Sequence, residues 1–505
     1  MKKFLLASVI ATASIAIVGC NDLDNQQPAN VNNVSLDNAS LIGNESIVTP
    51  YGTIGIEHNY ITDEGSAILF DAMDMQRASQ AYIWSTPLVS MITWRDEMNQ
   101  AYNTHNRGEF AVLESYNEKL GVVTGNLTTP YIFSFDSVAE GPLEVKYPAG
   151  MTAGAFLDFW QRPIADVGLT GPDQGKGGHY IIVGPNDDPE KYKAPGVHVF
   201  QSETNNVFLG LRILESDPAY SEKFQSQLKI SAYGEKPVEI KFNAGYDKPW
   251  SGTAPRDLSY WQRLHKNINE EPIREQDKVW IAMLEPLGIS IGKPFNPDER
   301  QKKLLLEGLA MGELMLRNLQ TNPRFAEVYW DNTNWYKSFD FTIPQITDTR
   351  VELDERAVWF YEAVSSTEGM VNPVVGKGQV YMTTKRDSDG NLLRADKTYR
   401  LRVPADVPVG QFWSLTLYSE ETRRPYENGE GTIRSVSLDS KLEDLVKNED
   451  GSVDLYIGAH APKGYEKNHM QTVGKDGWFV YFRLYAPLEG FFDKSFSLPD
   501  FEKID

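Results

Sequence analysis

Asp158, Trp160, Arg162, Asp173, Lys176 and His179 fall within one short stretch, DFWQRPIADVGLTGPDQGKGGHYIIVGP, running from Asp158 to Pro185. These residue types suit proton transfer beside a developing negative charge. His179 or Asp173 would move the proton, and Arg162 or Lys176 would hold the anion. Asp158, Trp160 and Arg162 alternate, so on a strand they share one face. The spacing predicts a strand over 158–162, a long glycine-rich loop, and a second strand over 180–183. It further predicts that Asp158, Trp160 and Arg162 line one ligand site with the Asp173–His179 loop, with His179 and Asp173 as the catalytic candidates.

The GPDQGKGG segment is not a phosphate loop of the Walker type. Only three residues separate Gly171 from Gly175, Gly177 follows Lys176, and a strand-like run comes next. Without a helix N-terminus no dipole is aimed at a phosphate. The glycines fit a long turn that needs positive φ.

Other chemistries are excluded or weakly supported. The single cysteine, Cys20, rules out thiol catalysis in the body of the chain and a zinc-cysteine site. The seven histidines (His58, His105, His179, His198, His265, His460 and His469) include no pair three or four residues apart. There is neither a GxSxG elbow nor an HExxH helix. His58 near Asp63 and Glu64 reads as a surface loop. Asp387-Ser388-Asp389-Gly390-Asn391 starts like a calcium loop but lacks the acidic residue at its end, so it reads as a tight turn. No metal site and no cofactor are expected.

The elements that must position these residues fall into blocks. Residues 1–19 read as an export signal: Lys2 and Lys3, then an apolar run too short to span a bilayer. Ile17-Val18-Gly19-Cys20 resembles the lipobox of bacterial lipoproteins, which implies lipidation of Cys20. By the same resemblance Asn21 implies sorting to the outer membrane, facing the periplasm. Residues 20–50 are poor in aromatics and rich in Asn, Asp, Gln and Ser, which predicts a disordered tether. Residues 51–120 read as a helical segment. A break at Thr86-Pro87 predicts two helices, with Met73, Met91 and Trp94 as core. Residues 121–285 turn to period two and read as a β-rich domain. In its apolar run Val207–Leu214, Arg212 is the one charge. Residues 286–323 read as a helical connector, with Asn296 as N-cap and Pro297 at the first helical position. Gly308 and Gly312 within it hint at close helix packing. Residues 324–505 are again β-rich. Along Trp478–Tyr485, Arg483 shares a face with Phe479, Tyr481 and Tyr485. It is therefore either stacked and paired or a ligand for an anion. The fold class is mixed and predominantly β: two β-sandwich or jelly-roll-like domains, joined and flanked by helices.

Net charge is −21, from 49 Lys plus Arg against 70 Asp plus Glu. Such a chain repels nucleic acid and anionic membrane surfaces, so any membrane contact would run through the N-terminal lipid.

Five longer stretches carry a family resemblance. VVTGNLTTPY (Val122–Tyr131), the Asp158–Pro185 stretch and SETNNVFLGLR (Ser202–Arg212) resemble the bacterial domain of unknown function numbered 1254. YRLRVPADVPVGQFWSLTLYSEETR (Tyr399–Arg423) and GWFVYFRLYAPLEGFFDKSFSLPD (Gly477–Asp500) resemble its companion, numbered 1214. The resemblance implies two β-sandwich-like domains and no established activity. It picks out Asp158, Trp160, Gln161, Arg162, Asp173, Lys176, Asn205, Arg212, Trp413, Thr422, Arg423, Arg483 and Tyr485.

Three functional readings stay open. The first is a lipid-anchored protein binding a small or polymeric polar ligand between its β domains, through Asp158, Trp160, Arg162, Lys176 and Arg483. The second is a periplasmic enzyme acting on a polar or glycan-like substrate. The third is a structural or assembly lipoprotein, which would show an exposed apolar patch.

Overall fold

The computed structural model describes residues 33–215, 217–246 and 249–504. The export signal, Cys20 and the first part of the expected tether lie outside them. The chain divides into two compact units, one ending at Met73 and one beginning at Asp74. In the first, β1 (Asn33–Ser35), β2 (Glu45–Thr49), β3 (Gly52–Glu57) and β4 (Tyr60–Ile61) form a four-stranded sheet. Its first two strands lie within residues 20–50, whose composition predicts a disordered tether. Buried Ile47, Ile54 and Ile56 give this sheet a small core that the average composition conceals.

Helix α1 (Asp63–Tyr102) is continuous through Pro87, against the expected break. Proline removes one amide and normally costs roughly 3 kcal/mol inside a helix. Here residues 81–94 are buried on every face, so packing holds the helix together. One turn before the proline, Thr86 Oγ1 and the Tyr260 hydroxyl both donate to the Tyr82 carbonyl, at 2.8 and 3.1 Å.

The first β region comprises β5 (Glu109–Leu113), α2 (Tyr116–Lys119), β6 (Tyr131–Ser137), β7 (Leu143–Tyr147), β8 (Thr152–Asp158), β9 (Pro163–Gly168), β10 (Gly178–Val183), β11 (Val197–Gln201), β12 (Asn206–Ile213), α3 (Pro218–Gln227), β13 (Lys229–Ala232) and β14 (Lys241–Ala244). They make a six-stranded sheet, β14-β5-β6-β12-β8-β9, and a four-stranded sheet, β11-β10-β7-β13. One apolar core, with Phe110, Val145, Phe156, Tyr180 and Leu209, takes side chains from both sheets. Because side chains alternate along each strand, the other face of the six-stranded sheet carries Phe133, Ala155, Leu157 and Phe208. These belong to a second core with α1.

Helices α4 (Leu258–Glu270), α5 (Lys278–Leu284), α6 (Glu299–Thr321), α7 (Leu353–Glu362) and α8 (Glu368–Val371) connect this region to the next. The N-cap of α6 is Asp298, two residues past the expected Asn296, because Asp298 and Gln301 close a reciprocal capping box. The expected close packing occurs: a Cβ on Gly308 would lie 2.2 Å from that of Ala78 on α1.

The second β region holds β15 (Tyr336–Lys337), β16 (Gln379–Thr384), β17 (Tyr399–Val403), β18 (Trp413–Ser419), β19 (Ser437–Asp439), β20 (Val453–Gly458), β21 (His469–Gln471), β22 (Trp478–Tyr485), α9 (Glu489–Phe492) and β23 (Glu502–Lys503). A five-stranded sheet, β15-β16-β22-β18-β19, and a four-stranded one, β21-β20-β17-β23, share a core with Leu401, Leu415, Leu455 and Phe482. On the opposite face of the five-stranded sheet lie Tyr381, Tyr418, Phe479 and Tyr481. The fold is thus mixed, with paired sheets in each β region and helices between them.

Candidate functional site

The outer faces of the six-stranded and five-stranded sheets line a shared cavity of about 100 Å³. On the same measure a single water needs roughly 10–15 Å³, so the space admits several waters or a small ligand. β6, β8 and β12 supply one wall; β16 and β22, Trp359 of α7, and Gly369 and Met370 of α8 supply the other.

Residues 122–126 close the gap between the two sheets. Thr124 sits at positive φ (43°). Its amide donates to the Arg423 carbonyl at 2.7 Å, and its carbonyl accepts from Arg483 Nη2 at 2.9 Å. The Tyr418 hydroxyl donates to the Gly125 carbonyl at 2.9 Å, and the Asn126 amide group donates to the Tyr485 hydroxyl.

Two guanidinium groups reach this cavity, Arg212 from β12 and Arg483 from β22. Arg483 is 1 % exposed. Apart from its bond to Thr124, it rests on the rings of Tyr381 and Tyr481, each 5.1 Å away. Its Nε and Nη1, and Nη1 of Arg212, are buried with no hydrogen-bond partner. No carboxylate forms an ion pair with either arginine among the described residues. Burial works against the charge on Arg212; the net shift is upward only because the phenols of Tyr381, Tyr485 and Tyr131 outweigh burial once they ionise at high pH, and near pH 7 the burial is not offset by them. Arg483 is close enough to oppose that shift. Arg483 is likewise raised, by the surrounding tyrosines in their ionised form at high pH, against its burial. Burial pushes the Tyr131 and Tyr381 phenols up to about 12, so both are neutral donors near pH 7.

The residues singled out in the sequence are not gathered here. Of the expected ligand residues only Arg483 lines the cavity. Only Asp158 is in a strand, as the last residue of β8; Phe159 to Arg162 form the tight turn between β8 and β9. Asp158 Oδ2 accepts from Arg162 Nε at 2.8 Å, and Arg162 Nη2 also meets Glu203 at 2.6 Å. The alternation that suggested a shared strand face therefore does not apply; this pair closes a turn. Trp160 is buried under Arg274 and Arg356, whose guanidinium carbons stand 4.1 and 5.3 Å from its ring. Burial, with Arg274 adding to it, pushes Arg356 down to about 9.

The glycine loop is a turn, with Gly175 and Gly177 at φ 75° and 79°. Asp173 Oδ1 staples it, accepting from the Gly168 amide at 2.8 Å and the Tyr180 hydroxyl at 2.6 Å. Lys176 is exposed, and His179 meets Glu144 at 2.7 Å, a residue of the neighbouring strand β7. Neither lines the cavity.

Gln161 has a role the motif did not reveal. Held at φ 61°, it donates to the Pro87 carbonyl at 2.7 Å and Ser90 Oγ at 2.6 Å. Its side-chain oxygen accepts from the Ser365 amide at 2.7 Å, and its backbone carbonyl from Ser366 Oγ at 2.7 Å. It ties the β8–β9 turn to α1 and to the segment that lines the cavity. Sequence reasoning also missed Arg212 as a site residue. The available signal was a lone charge in an apolar strand. Among the described residues no group of three or more His, Cys, Asp or Glu converges as a metal site.

Comparison with known proteins follows the same division. Residues 108–232 match the family described as a protein of unknown function (DUF1254), and residues 378–489 match the one described as a protein of unknown function (DUF1214). The chain is a protein of the paired DUF1254 and DUF1214 type, and each matched region supplies one arginine of the cavity. The crystal structure of the VPA0106 protein from Vibrio parahaemolyticus is 18% identical and covers 86% of this chain and 100% of its own, with a TM-score of 0.52. That likeness is one of fold. An uncharacterised protein from Burkholderia cenocepacia is 11% identical over 88% of this chain and 97% of its own, with a TM-score of 0.38, too low to support an argument. No curated protein matches the chain.

Proposed function

We propose that this chain is an exported, lipid-anchored protein that binds a small anionic ligand in the cavity between its two β regions. One observation carries the binding reading: buried Arg483 and half-buried Arg212, whose Nη1 is itself buried, bring incompletely bonded guanidinium groups to a space whose lining residues include no Asp or Glu. An uncompensated buried charge costs several kcal/mol, and an anion with acceptor oxygens offsets that cost. The cavity's sign is opposite to that of a chain of net charge −21, which makes it a local feature of the site. Binding is favoured over acid–base catalysis because the lining also holds no His, Lys or Cys, while Tyr131 and Tyr381 titrate only near 12. A general base works best with a pKa near the operating pH. The lipid anchor at Cys20 and placement at the periplasmic face of the outer membrane rest on the lipobox-like sequence. Mass spectrometry of the mature N-terminus tests them, and an unacylated residue there would remove them.

The binding test is titration of the full chain with inorganic phosphate and with acetate, followed by thermal unfolding. Saturation at about 100 times the dissociation constant stabilises by roughly 2.7 kcal/mol. Arg483→Met should abolish the shift. A shift that survives in this variant would place anion binding elsewhere.

A further inference from the structure

Resting on that reading, we infer that the ligand is an amphipathic acid: a carboxylate held by Arg212 and Arg483, an apolar body, and a hydrogen-bond acceptor at the far end for Trp94. The register of β6, β12 and β8 orders the cavity wall into three rows. Tyr131, Arg212 and Ala153 lie side by side, then Phe133, Gly210 and Ala155, then Phe208 and Leu157, with Phe135 beside Phe208 but outside the lining. Residues two apart on a strand are about 7 Å apart and share a face. Polarity therefore falls from a cationic row to an aromatic row over about 14 Å.

In the middle row Gly210 and Ala155 make a floor of small residues beside Phe133. A Cβ on Gly210 would lie 2.5 Å from the Phe208 ring. Beyond it, Trp94 of α1 packs on Phe208 and Phe133 with ring centroids 4.7 and 5.0 Å apart. Its indole Nε1 is buried with no partner, although buried donors are nearly always satisfied. Arg212 Nη1, Arg483 Nε and Nη1, and Trp94 Nε1 thus leave four orphaned nitrogen donors among cavity residues. Indole offers only a donor, so its partner must be an acceptor. Inorganic phosphate would answer the arginines and leave the apolar floor and Trp94 unused. An acid with an aryl or alkyl body answers all three rows.

The experiment is calorimetric titration of the full chain with acetate, inorganic phosphate, 3-phenylpropanoate and 3-(4-acetylphenyl)propanoate. The aryl acids should bind at least tenfold more tightly than acetate. Ala155→Leu, which fills the floor, should erase that advantage and keep acetate binding. Trp94→Phe keeps the aromatic wall and removes the donor. It should weaken the acetyl compound about fivefold and leave 3-phenylpropanoate unchanged. If acetate or phosphate binds as tightly as the aryl acids, the amphipathic class is overturned while the anion site stands. If none of the four binds, both fall. If Trp94→Phe affects the two aryl acids alike, the acceptor end is overturned. Should Ala155→Leu fail to fold, the wild-type ranking and Trp94→Phe still decide.

Discussion

Arg212 and Arg483 approach one cavity from two different sheets, with phenol groups around them and no carboxylate between them. Arg162 and Arg274 elsewhere in the chain are handled differently, whereas Arg356, 1 % exposed beside Trp160, also has its three guanidinium nitrogens without a partner. Arg162 has Asp158, and Arg274 has Asp277 at 2.5 Å. Those pairs spend their donors on holding turns and helices. The cavity arginines keep theirs unspent, and one comes from each β region, so the site is complete only where the two regions meet.

The unspent charge of half-buried Arg212, whose Nη1 is buried, has a stability consequence. Arg212→Met keeps an apolar stem of similar reach and removes the cation. Replacing a poorly compensated buried charge by an apolar side chain is neutral or stabilising by about 1–4 kcal/mol. The ligand-free variant should therefore unfold in urea at an equal or higher midpoint than wild type, while phosphate no longer raises that midpoint. A clear loss of stability without ligand would mean that Arg212 has a structural partner.

Much of the fold was legible because strands keep period two. Along β22, Trp478, Val480, Phe482 and Leu484 enter one core, while Phe479, Tyr481 and Arg483 lie on the other side, as alternation requires. The Asp158–Arg162 stretch misled for the same reason. Alternating residues look alike in a strand and across a tight turn, and only the pairing of Leu157 with Pro163 separates the two. Pro87 misled because the packing that carries α1 past it comes from residues such as Tyr260, far away in sequence. The cavity was illegible for a related reason. Arg212 and Arg483 lie on strands of different regions, and one sequence does not reveal which strand faces meet.

Glu362 and Lys385 form a buried pair behind the cavity wall. Both side chains are 4 % exposed, with their charged atoms 3.5 Å apart, and Lys385 also meets Glu420 at 2.6 Å. Glu362 accepts from Tyr481 and Gln320, each at 2.5 Å. Lys385→Met strands this carboxylate among neutral donors. Loss of one partner of a buried pair costs about 3–5 kcal/mol, and urea unfolding should show it. Adding Glu362→Gln to the variant should restore part of the loss. A cost under about 1 kcal/mol, the range of exposed pairs, would show that the network is solvated.

Gly308 sets the distance between α6 and α1. Ala raises helix propensity by about 1 kcal/mol, so Gly308→Ala would stabilise an isolated helix. In this fold the new methyl would lie 2.2 Å from Ala78 Cβ, and overpacking costs about 1–3 kcal/mol. The variant should be net destabilised, and Ala78→Gly in the same chain should rescue it. Stabilisation by Gly308→Ala alone would mean that the helices separate freely.

Asp166 gives the chain a pH signature. Its buried carboxylate accepts from the amides of Glu368 and Gly369, at 3.0 and 3.2 Å, and so fastens α8 to β9. Burial dominates and pushes it up to about 6, although those two amides pull the other way. An unfolded aspartate titrates near 3.9. Between about pH 4 and 6 the folded chain holds this proton and the unfolded chain does not, so this group's contribution to stability falls as pH rises. Below about pH 4 both states are protonated and the contribution is fully present. Across the window the difference approaches about 3 kcal/mol, at about 1.4 kcal/mol per pKa unit. The wild-type unfolding free energy, measured relative to Asp166→Asn, should decline by that amount from pH 4 to pH 7. A difference that is flat with pH would mean that the Asp166 carboxylate titrates as an ordinary surface acid, and one that rises would mean that the Glu368 and Gly369 amides outweigh its burial.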